Sequence, residues 1–345
     1  MLRIVTLALA VFASFAATSA RAVDSFEKNI MTGGPKGTYI RIGRDIAALG
    51  EKCGMKLNVL ESAGSLENFI GVRQRKSTQF GIVQSDVLEY LKTYEANDPE
   101  IQQAVKGVRI MFPLYNEEVH LIARKEIASV RDLAGKKVSI GEKDSGTFLT
   151  ASLILDILRV NDADRKNFGA ADSLEKLLAG EIDGFFYVAG APAALFDTDR
   201  IDSAKFHLVK LDETALGQTY TPAKIIAGTY PWLKSDTNVV AVKAVLMTYD
   251  YDKKKNAYHR GSCKAVADYS NLVISNLEAL RANGHPKWKS VDLAALPPGW
   301  QVGVCVKQGM ALDYAVACEG APAASKTGDE EYLDLLKKRL KTGTE

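Results

Sequence analysis

The stretch KNIMTGGPKGTYIRIGRDIAALG, residues 28–50, predicts a strand, a loop and a helix in that order. Residues 28–32 are the predicted strand, and residues 33–38 form a glycine-rich polar loop. From Tyr39 to Leu49 the apolar residues recur three and four positions apart, which is the spacing of one helix face. This order is the first part of a unit in which the next strand runs parallel to the first.

The same order recurs along the chain. The predicted strands are residues 56–61, 80–83, 108–114, 119–123, 137–140, 184–188, 224–229 and 238–248. The predicted helices are residues 66–75, 87–94, 147–160, 174–179, 265–282 and 329–340, with another helix opening after the loop 189–192. Repeated strand, loop and helix units indicate parallel strands joined by crossover helices, so an α/β fold is expected.

The pattern divides the chain into two lobes, each a mostly parallel sheet flanked by helices. We place the first lobe at residues 23–113, the second at 114–224, a return segment to the first lobe at 225–284, and a C-terminal extension at 285–345. Extended strands that cross between the lobes would leave a cleft. Ligands in open α/β sheets bind outside the carboxyl ends of the strands, so the loops at those ends are candidate binding elements.

The first 22 residues have the features of a secretory signal peptide. Arg3 precedes the apolar run of residues 4–17, and Ala20 and Ala22 occupy positions −3 and −1 of an A-x-A cleavage site. Cleavage after Ala22 predicts an exported protein of the periplasm; an uncleaved membrane anchor is the alternative, although the run is short for a membrane span.

Composition excludes several classes of protein. The chain has 345 residues, of which 47% are hydrophobic and 25% charged, as in soluble globular proteins rather than disordered or collagen-like ones. The formal charge is +2, and loss of residues 1–22 removes two arginines and no acid, leaving 42 basic and 42 acidic residues. This balance gives no electrostatic reason to expect nucleic acid as a partner.

The four cysteines, Cys53, Cys263, Cys305 and Cys318, suit an oxidising compartment. They form no C-x-x-C motif, so a zinc ribbon or a thioredoxin-type site is not expected. Of the three possible pairings we favour Cys305 with Cys318, which closes a short loop, and Cys53 with Cys263. Free buried thiols are the alternative.

Eight short motifs occur in a recognisable order. They are T-G-G-P-K-G-T-Y (32–39), S-A-G-S-L-E-N (62–68), V-Q-S-D (83–86), D-L-A-G-K-K-V (132–138), G-E-K-D-S-G-T (141–147), E-I-D-G-F-F (181–186), G-A-P (190–192) and A-G-T-Y-P (227–231). Together they resemble the TAXI family, the extracytoplasmic solute-binding subunits of tripartite ATP-independent periplasmic (TRAP) transporters.

The resemblance implies a two-lobed periplasmic-binding-protein fold of type II-like architecture that closes on a small organic anion. The ligands it suggests are a dicarboxylate or an amino acid, such as glutamate or 2-oxoglutarate. It also implies delivery of the ligand to membrane permease subunits driven by an ion gradient, a monomeric protein, and no cofactor. A sensory protein that presents the same ligand class to a membrane receptor is the alternative function.

The candidate ligand-binding residues lie in the loops that precede helices. Such loops present free backbone N–H groups and the positive end of the helix dipole, which favours an anion. Two such loops facing each other across the cleft would hold a dicarboxylate without a metal. The residues are Gly37, Thr38, Tyr39, Ser62, Gly64, Ser65, Asn68, Gln84, Ser85, Ser145, Gly146, Thr147, Tyr187, Gly190 and Pro192. Helix capping and strand-end packing are the alternative roles.

Catalytic signatures are weak. The four histidines have no metal-ligand spacing, and the chain contains no G-x-S-x-G, H-E-x-x-H or Walker motif. Glu117 and Glu118 are adjacent, so they point to opposite faces of a strand and are predicted to be a solvated edge. We therefore expect a binding protein rather than an enzyme.

Overall fold

The computed structural model describes residues 27–35, 37–316 and 318. The predicted signal peptide and the predicted helix at 329–340 lie outside these residues. Within them, no helix combines the length and the apolar character needed to cross a membrane.

The described residues form a single sheet with helices packed against it, and the predicted α/β fold is confirmed. The strands are β1 (Glu27–Met31), β2 (Lys56–Leu60), β3 (Thr78–Gln84), β4 (Val108–Arg124), β5 (Lys137–Ser139), β6 (Asp164–Lys166), β7 (Gly184–Ala189), β8 (Phe206–Leu208), β9 (Thr221–Ile225) and β10 (Thr237–Tyr249). The α-helices are α1 (Thr38–Glu51), α2 (Ser65–Gln74), α3 (Val87–Tyr94), α4 (Pro99–Gly107), α5 (Gly146–Ile157), α6 (Ala170–Ala179), α7 (Ala257–Ser275), α8 (Leu277–Asn283) and α9 (Val304–Gly309).

The sheet order is β2-β1-β3-β10-β4-β7-β5-β6, with β8 on β4 and β9 on β10. Strands β2, β1 and β3 are parallel to one another, and so are β7, β5 and β6. We call the first set, with α1–α4, α7 and α8, the first half, and the second set, with α5 and α6, the second half. Strands β4 and β10 are antiparallel and run through the centre of the sheet.

Strand β4 corrects one prediction. The sequence suggested two strands around a turn at residues 115–118, because Asn116, Glu117 and Glu118 are polar. These residues instead continue one strand of 17 residues that pairs with β10 on one side and β7 on the other. Polar residues stay in this strand because β10 pairs with all three of them, and β7 joins on the other side from Glu118 onward.

Other local differences have similar causes. Helix α4 and strands β6 and β8 were not predicted, and the strand expected at residues 224–229 begins earlier, as β9. The loop at 189–192 leads only to a 3-10 turn, Ala194–Phe196. Strands β6 and β8 have three residues each, too few to show a period. No element was predicted between residues 285 and 318, but a 3-10 turn at Pro286–Ser290 and helix α9 lie there.

The apolar core is divided between the halves. One cluster fills the second half around Phe185 and Leu155, and another fills the first half around Ile30 and Tyr269. A third cluster joins them, because Leu149 and Leu153 of α5 pack among the side chains of α2 and α3. The two halves are therefore in apolar contact beside the loops where α2 and α5 begin.

The disulfides differ from the favoured pairing, which is wrong. Cys53 bonds to Cys318 and Cys263 to Cys305, with Cα–Cα distances of 4.1 and 5.2 Å. The reason is the unpredicted helix α9, which lies so close to α7 that a Cβ on Gly309 would overlap the backbone of Ala267. Cys305 thereby faces α7, and Cys318 lies beside the end of α1.

Replacing Cys263 and Cys305 together by alanine should lower the free energy of unfolding by about 2–4 kcal/mol, because the bond closes a loop in the unfolded chain. The two cysteines are 42 residues apart in sequence. Urea unfolding of the oxidised variant and the wild type measures the difference. Equal unfolding midpoints would contradict the pairing.

Candidate functional site

The loops that begin α2 and α5 meet between the halves. A Cβ placed on Gly64 would lie 3.3 Å from the backbone nitrogen of Gly146 and 3.5 Å from the Cα of Ser145. Gly64 has a φ of +131°, a conformation that L side chains rarely adopt. Both the close approach and the backbone angle therefore require glycine, and two predicted site loops lie in direct contact.

Gln84 connects these loops from the end of β3. Its backbone N–H donates to Ser65 Oγ at 3.0 Å, and its side-chain Oε1 accepts from Thr150 Oγ1 of α5 at 3.2 Å. A Cβ on Gly146 would overlap Gln84 Oε1 and lie 2.6 Å from its Cδ. The amide of Gln84 thus packs on the first turn of α5. This contact is what we expect if Gln84 and the loop before α5 belong to one site.

Asp86 is not among the candidate residues derived from the sequence, yet it lies beside Gln84 in this cluster. It stands at the N-cap position of α3, but its side chain makes no capping hydrogen bond. Instead Oδ2 accepts from Thr150 Oγ1 at 2.8 Å and from the Tyr220 hydroxyl at 3.1 Å, while Oδ1 is buried with no hydrogen-bond partner in the described part of the chain. Burial raises the pKa of Asp86 to about 7, although hydrogen bonds from Thr150 and Tyr220 oppose the shift.

Glu117 corrects the prediction of a solvated edge. Its side chain is buried, with 6% exposed, and Oε2 accepts from the Tyr39 hydroxyl at 2.6 Å. Burial raises the pKa of Glu117 to about 8, against hydrogen bonds from Tyr39 and Gln84 that lower it. The prediction failed because β4 is a central strand, so a residue in its middle is covered by both halves.

Tyr115 adds an unpartnered hydroxyl to this cluster. The side chain is fully buried, and no group among the described residues meets full hydrogen-bond geometry with its hydroxyl. Burial, followed by the charge of Glu117, raises the pKa of Tyr115 well above its usual range, although the nearby Thr38 hydroxyl opposes the shift. Leaving a buried polar group unpaired costs about 1–3 kcal/mol. Tyr115 and Asp86 Oδ1 therefore mark positions where a ligand could supply the missing partner.

Several predicted residues bind the protein's own backbone. Asn68 Nδ2 donates to the carbonyl oxygens of Thr32 and Ile82, and Ser62 Oγ donates to Asn68 Oδ1 at 2.6 Å. These bonds hold the ends of β1 and β3 against α2. Ser85 Oγ accepts from the backbone N–H of Lys243 at 3.3 Å, which fixes the crossing strand β10.

The second half shows the same use of hydroxyl groups. Ser145 Oγ accepts from the Phe148 N–H at 3.1 Å and caps α5, and Thr147 Oγ1 accepts from the Val188 N–H at 3.1 Å. These groups position the loop, so the backbone of the loop is the part left to bind a ligand. A direct role for each hydroxyl stays a prediction.

The remaining candidates lie at the edges of this cluster. Gly37 precedes α1 without a capping side chain, and Thr38 is the first residue of that helix and is partly exposed. Tyr187 in β7 is also partly exposed, and Gly190 and Pro192 follow it in the loop after the strand. No group of three or more histidine, cysteine, aspartate or glutamate side chains in the described ranges could hold a metal ion.

Comparison with known proteins gives a family and several structural similarities. Residues 30–259 match the model of the NMT1-like family. The chain is similar to a putative sulfonate ABC transporter's periplasmic sulfonate-binding protein, SsuA from Methylobacillus flagellatus KT, at 16% identity over 84% of this chain and 82% of that one, with a TM-score of 0.41.

Two further solved structures are similar over most of the chain. The periplasmic binding protein BugD is 11% identical over 92% of this chain and 94% of its own, with a TM-score of 0.46. An amino acid ABC transporter substrate-binding protein from Streptococcus pneumoniae bound to L-arginine is 13% identical over 78% and 95%, with a TM-score of 0.40. At these values the similarity concerns the α/β fold alone.

Proposed function

Because the chain belongs to the NMT1-like family, we propose that it is a periplasmic solute-binding protein that encloses a small organic ligand between its two halves. The approach of Gly64 to Gly146 carries this proposal, since it places the first turns of α2 and α5 face to face. The lobe boundaries after residues 113, 224 and 284 are part of it. Binding would then be an equilibrium between open and closed forms, shifted because the ligand contacts both halves only when closed.

The chemistry of the site favours a ligand with both an acceptor and a donor. Backbone N–H groups at the first turns of α2 and α5 suit a carboxylate. The burial that raises the pKa of Asp86 and Glu117 disfavours their charged forms, and an ammonium group bound beside them would restore the charged, accepting forms. An amino acid such as glutamate offers an ammonium group to these acids, whereas 2-oxoglutarate does not.

The resemblance of the eight motifs to the TAXI family supports delivery to a TRAP-type permease. In that case uptake into vesicles that hold the permease should follow an ion gradient and not require ATP. Uptake that depends on ATP would contradict this part of the proposal and leave ligand binding unaffected.

A thermal-shift screen tests the binding function directly. The protein from residue 23 onward is heated with dicarboxylates, 2-oxo acids and amino acids in turn. A ligand present at 100 times its Kd stabilises the folded state by about 2.7 kcal/mol, which raises the melting temperature by several degrees. If none of these compounds at millimolar concentration raises the melting temperature, the proposed function is wrong.

A further inference from the structure

The C-terminal segment from residue 285 to residue 318 begins beyond the family match, which ends at residue 259. It packs on the first half through Trp288, which is fully buried. Trp288 Nε1 donates to Asp45 Oδ2 of α1 at 2.8 Å, and the His285 N–H donates to the same oxygen at 2.8 Å. The start of the segment is therefore fixed to α1.

Further along, the segment is attached to the first half at three more points. Trp300 Nε1 donates to the carbonyl oxygen of Ser85 at 2.9 Å. Cys305 is bonded to Cys263 of α7, and Cys318 is bonded to Cys53, just after α1. This segment, which we call the strap, moves with the first half because both its ends are fixed there.

One side chain of the strap reaches the second half. Lys287 Nζ donates to the carbonyl oxygen of Ala191 at 2.8 Å and lies 5.8 Å from the centre of the Tyr115 ring. The N–H of Ala191 donates to Glu118 Oε2 at 2.6 Å. Ala191 thus accepts a hydrogen bond from Lys287 through its carbonyl oxygen and donates one to β4 through its N–H.

Gly190 makes room for this contact. A Cβ on Gly190 would overlap Lys287 Cε and lie 2.6 Å from Nζ. Gly190 does not have a positive φ, so alanine is compatible with the backbone there. The space for the lysine, rather than the chain conformation, is what glycine provides at this position.

We propose that the strap is a latch that holds the two halves together, with the hydrogen bond from Lys287 to Ala191 as its fastening point. Separation of the halves carries Ala191 away from Lys287, because Trp288 ties the neighbouring residue to α1. The bond is therefore made only in the closed arrangement and favours it. This hydrogen bond lies apart from the apolar contact of α5 with α3, so the two halves are in contact at two separate places. The latch goes beyond the proposed function and can be tested without a ligand.

Lys287→Met keeps an unbranched apolar side chain of nearly the same length and removes the charged ammonium group that donates to Ala191. A hydrogen bond from a charged group changes a conformational equilibrium by about tenfold or more. Hydrogen exchange of the backbone amides at residues 146–150, where α5 meets the first half, should therefore speed up about tenfold. The radius of gyration from small-angle X-ray scattering should rise as the open form gains population.

Lys289→Met is the matched control, because Lys289 is an exposed lysine on the same 3-10 turn. Gly190→Ala disturbs the contact from the second half and should also speed exchange. The double variant Gly190→Ala, Lys287→Met should exchange no faster than Lys287→Met alone, since both changes remove one contact. The latch is disproved if Lys287→Met exchanges like Lys289→Met, or if Gly190→Ala adds its full effect to that of Lys287→Met.

Discussion

Gly146→Val should lower the affinity for the ligand by at least about 100-fold, or about 2.7 kcal/mol. A Cβ at this position overlaps the Gln84 amide, and the backbone of Gly146 is the group that faces Gly64. The two methyl groups of valine would occupy the space between the loops. The halves could then not close around a ligand that both loops contact. Titration calorimetry with a ligand from the thermal-shift screen measures the change.

Gly217→Val is the control for this substitution. Gly217 lies in a 3-10 turn, has no positive φ, and a Cβ there would have no atom within 4 Å. Its affinity should equal that of the wild type. If Gly146→Val binds as tightly as Gly217→Val, with both variants folded by circular dichroism, the ligand site is not between these loops.

The free energy of unfolding should fall by several kcal/mol between pH 5 and pH 9. Burial raises the pKa of Asp86 to about 7 and that of Glu117 to about 8, from 3.8 and 4.5. At a pH between the unfolded-state pKa and the raised folded-state pKa, each carboxyl group is protonated in the folded state and ionised in the unfolded state. Stability therefore decreases as pH rises through this range and levels off above the folded-state pKa. Each pKa unit corresponds to about 1.4 kcal/mol.

Glu117→Gln should remove the larger part of this dependence. The amide is neutral at every pH, so the variant should be more stable than the wild type at pH 9 by roughly 3–5 kcal/mol. Glu126→Gln, which makes the same change of charge at an exposed position, is the control. Urea unfolding at pH 5, 7 and 9 gives the free energy of unfolding as a function of pH for the wild type and for both variants. The same pH dependence for Glu117→Gln and Glu126→Gln would contradict the burial of Glu117.

Several regular elements in the first half were predicted well from the sequence. Helix α3 matches its predicted bounds, and β2 and α2 differ from theirs by one residue. Periodicity works there because each element buries one regular set of side chains. It failed in the middle of β4 and at α9, where the neighbours that bury or satisfy a residue come from distant parts of the chain.

Part of the site could also be predicted. The motifs at residues 62–68, 83–86 and 141–147 place Gly64, Gln84 and Gly146 in loops before helices, and these three residues lie in contact. Glu117 and Tyr115 could not be found in the same way, because nothing in the local sequence distinguishes a covered polar residue from an exposed one. Only their position in the central strand places them in the candidate site.

By itself, the sequence determined the α/β class, the order of most elements and the small polar loops that precede the helices, because these depend on residues close together in the chain. The tertiary structure decided which cysteines pair, which carboxyl groups are buried, and that Lys287 reaches Ala191. Those outcomes depend on how segments far apart in sequence pack together. Periodicity and spacing carry no information about such packing.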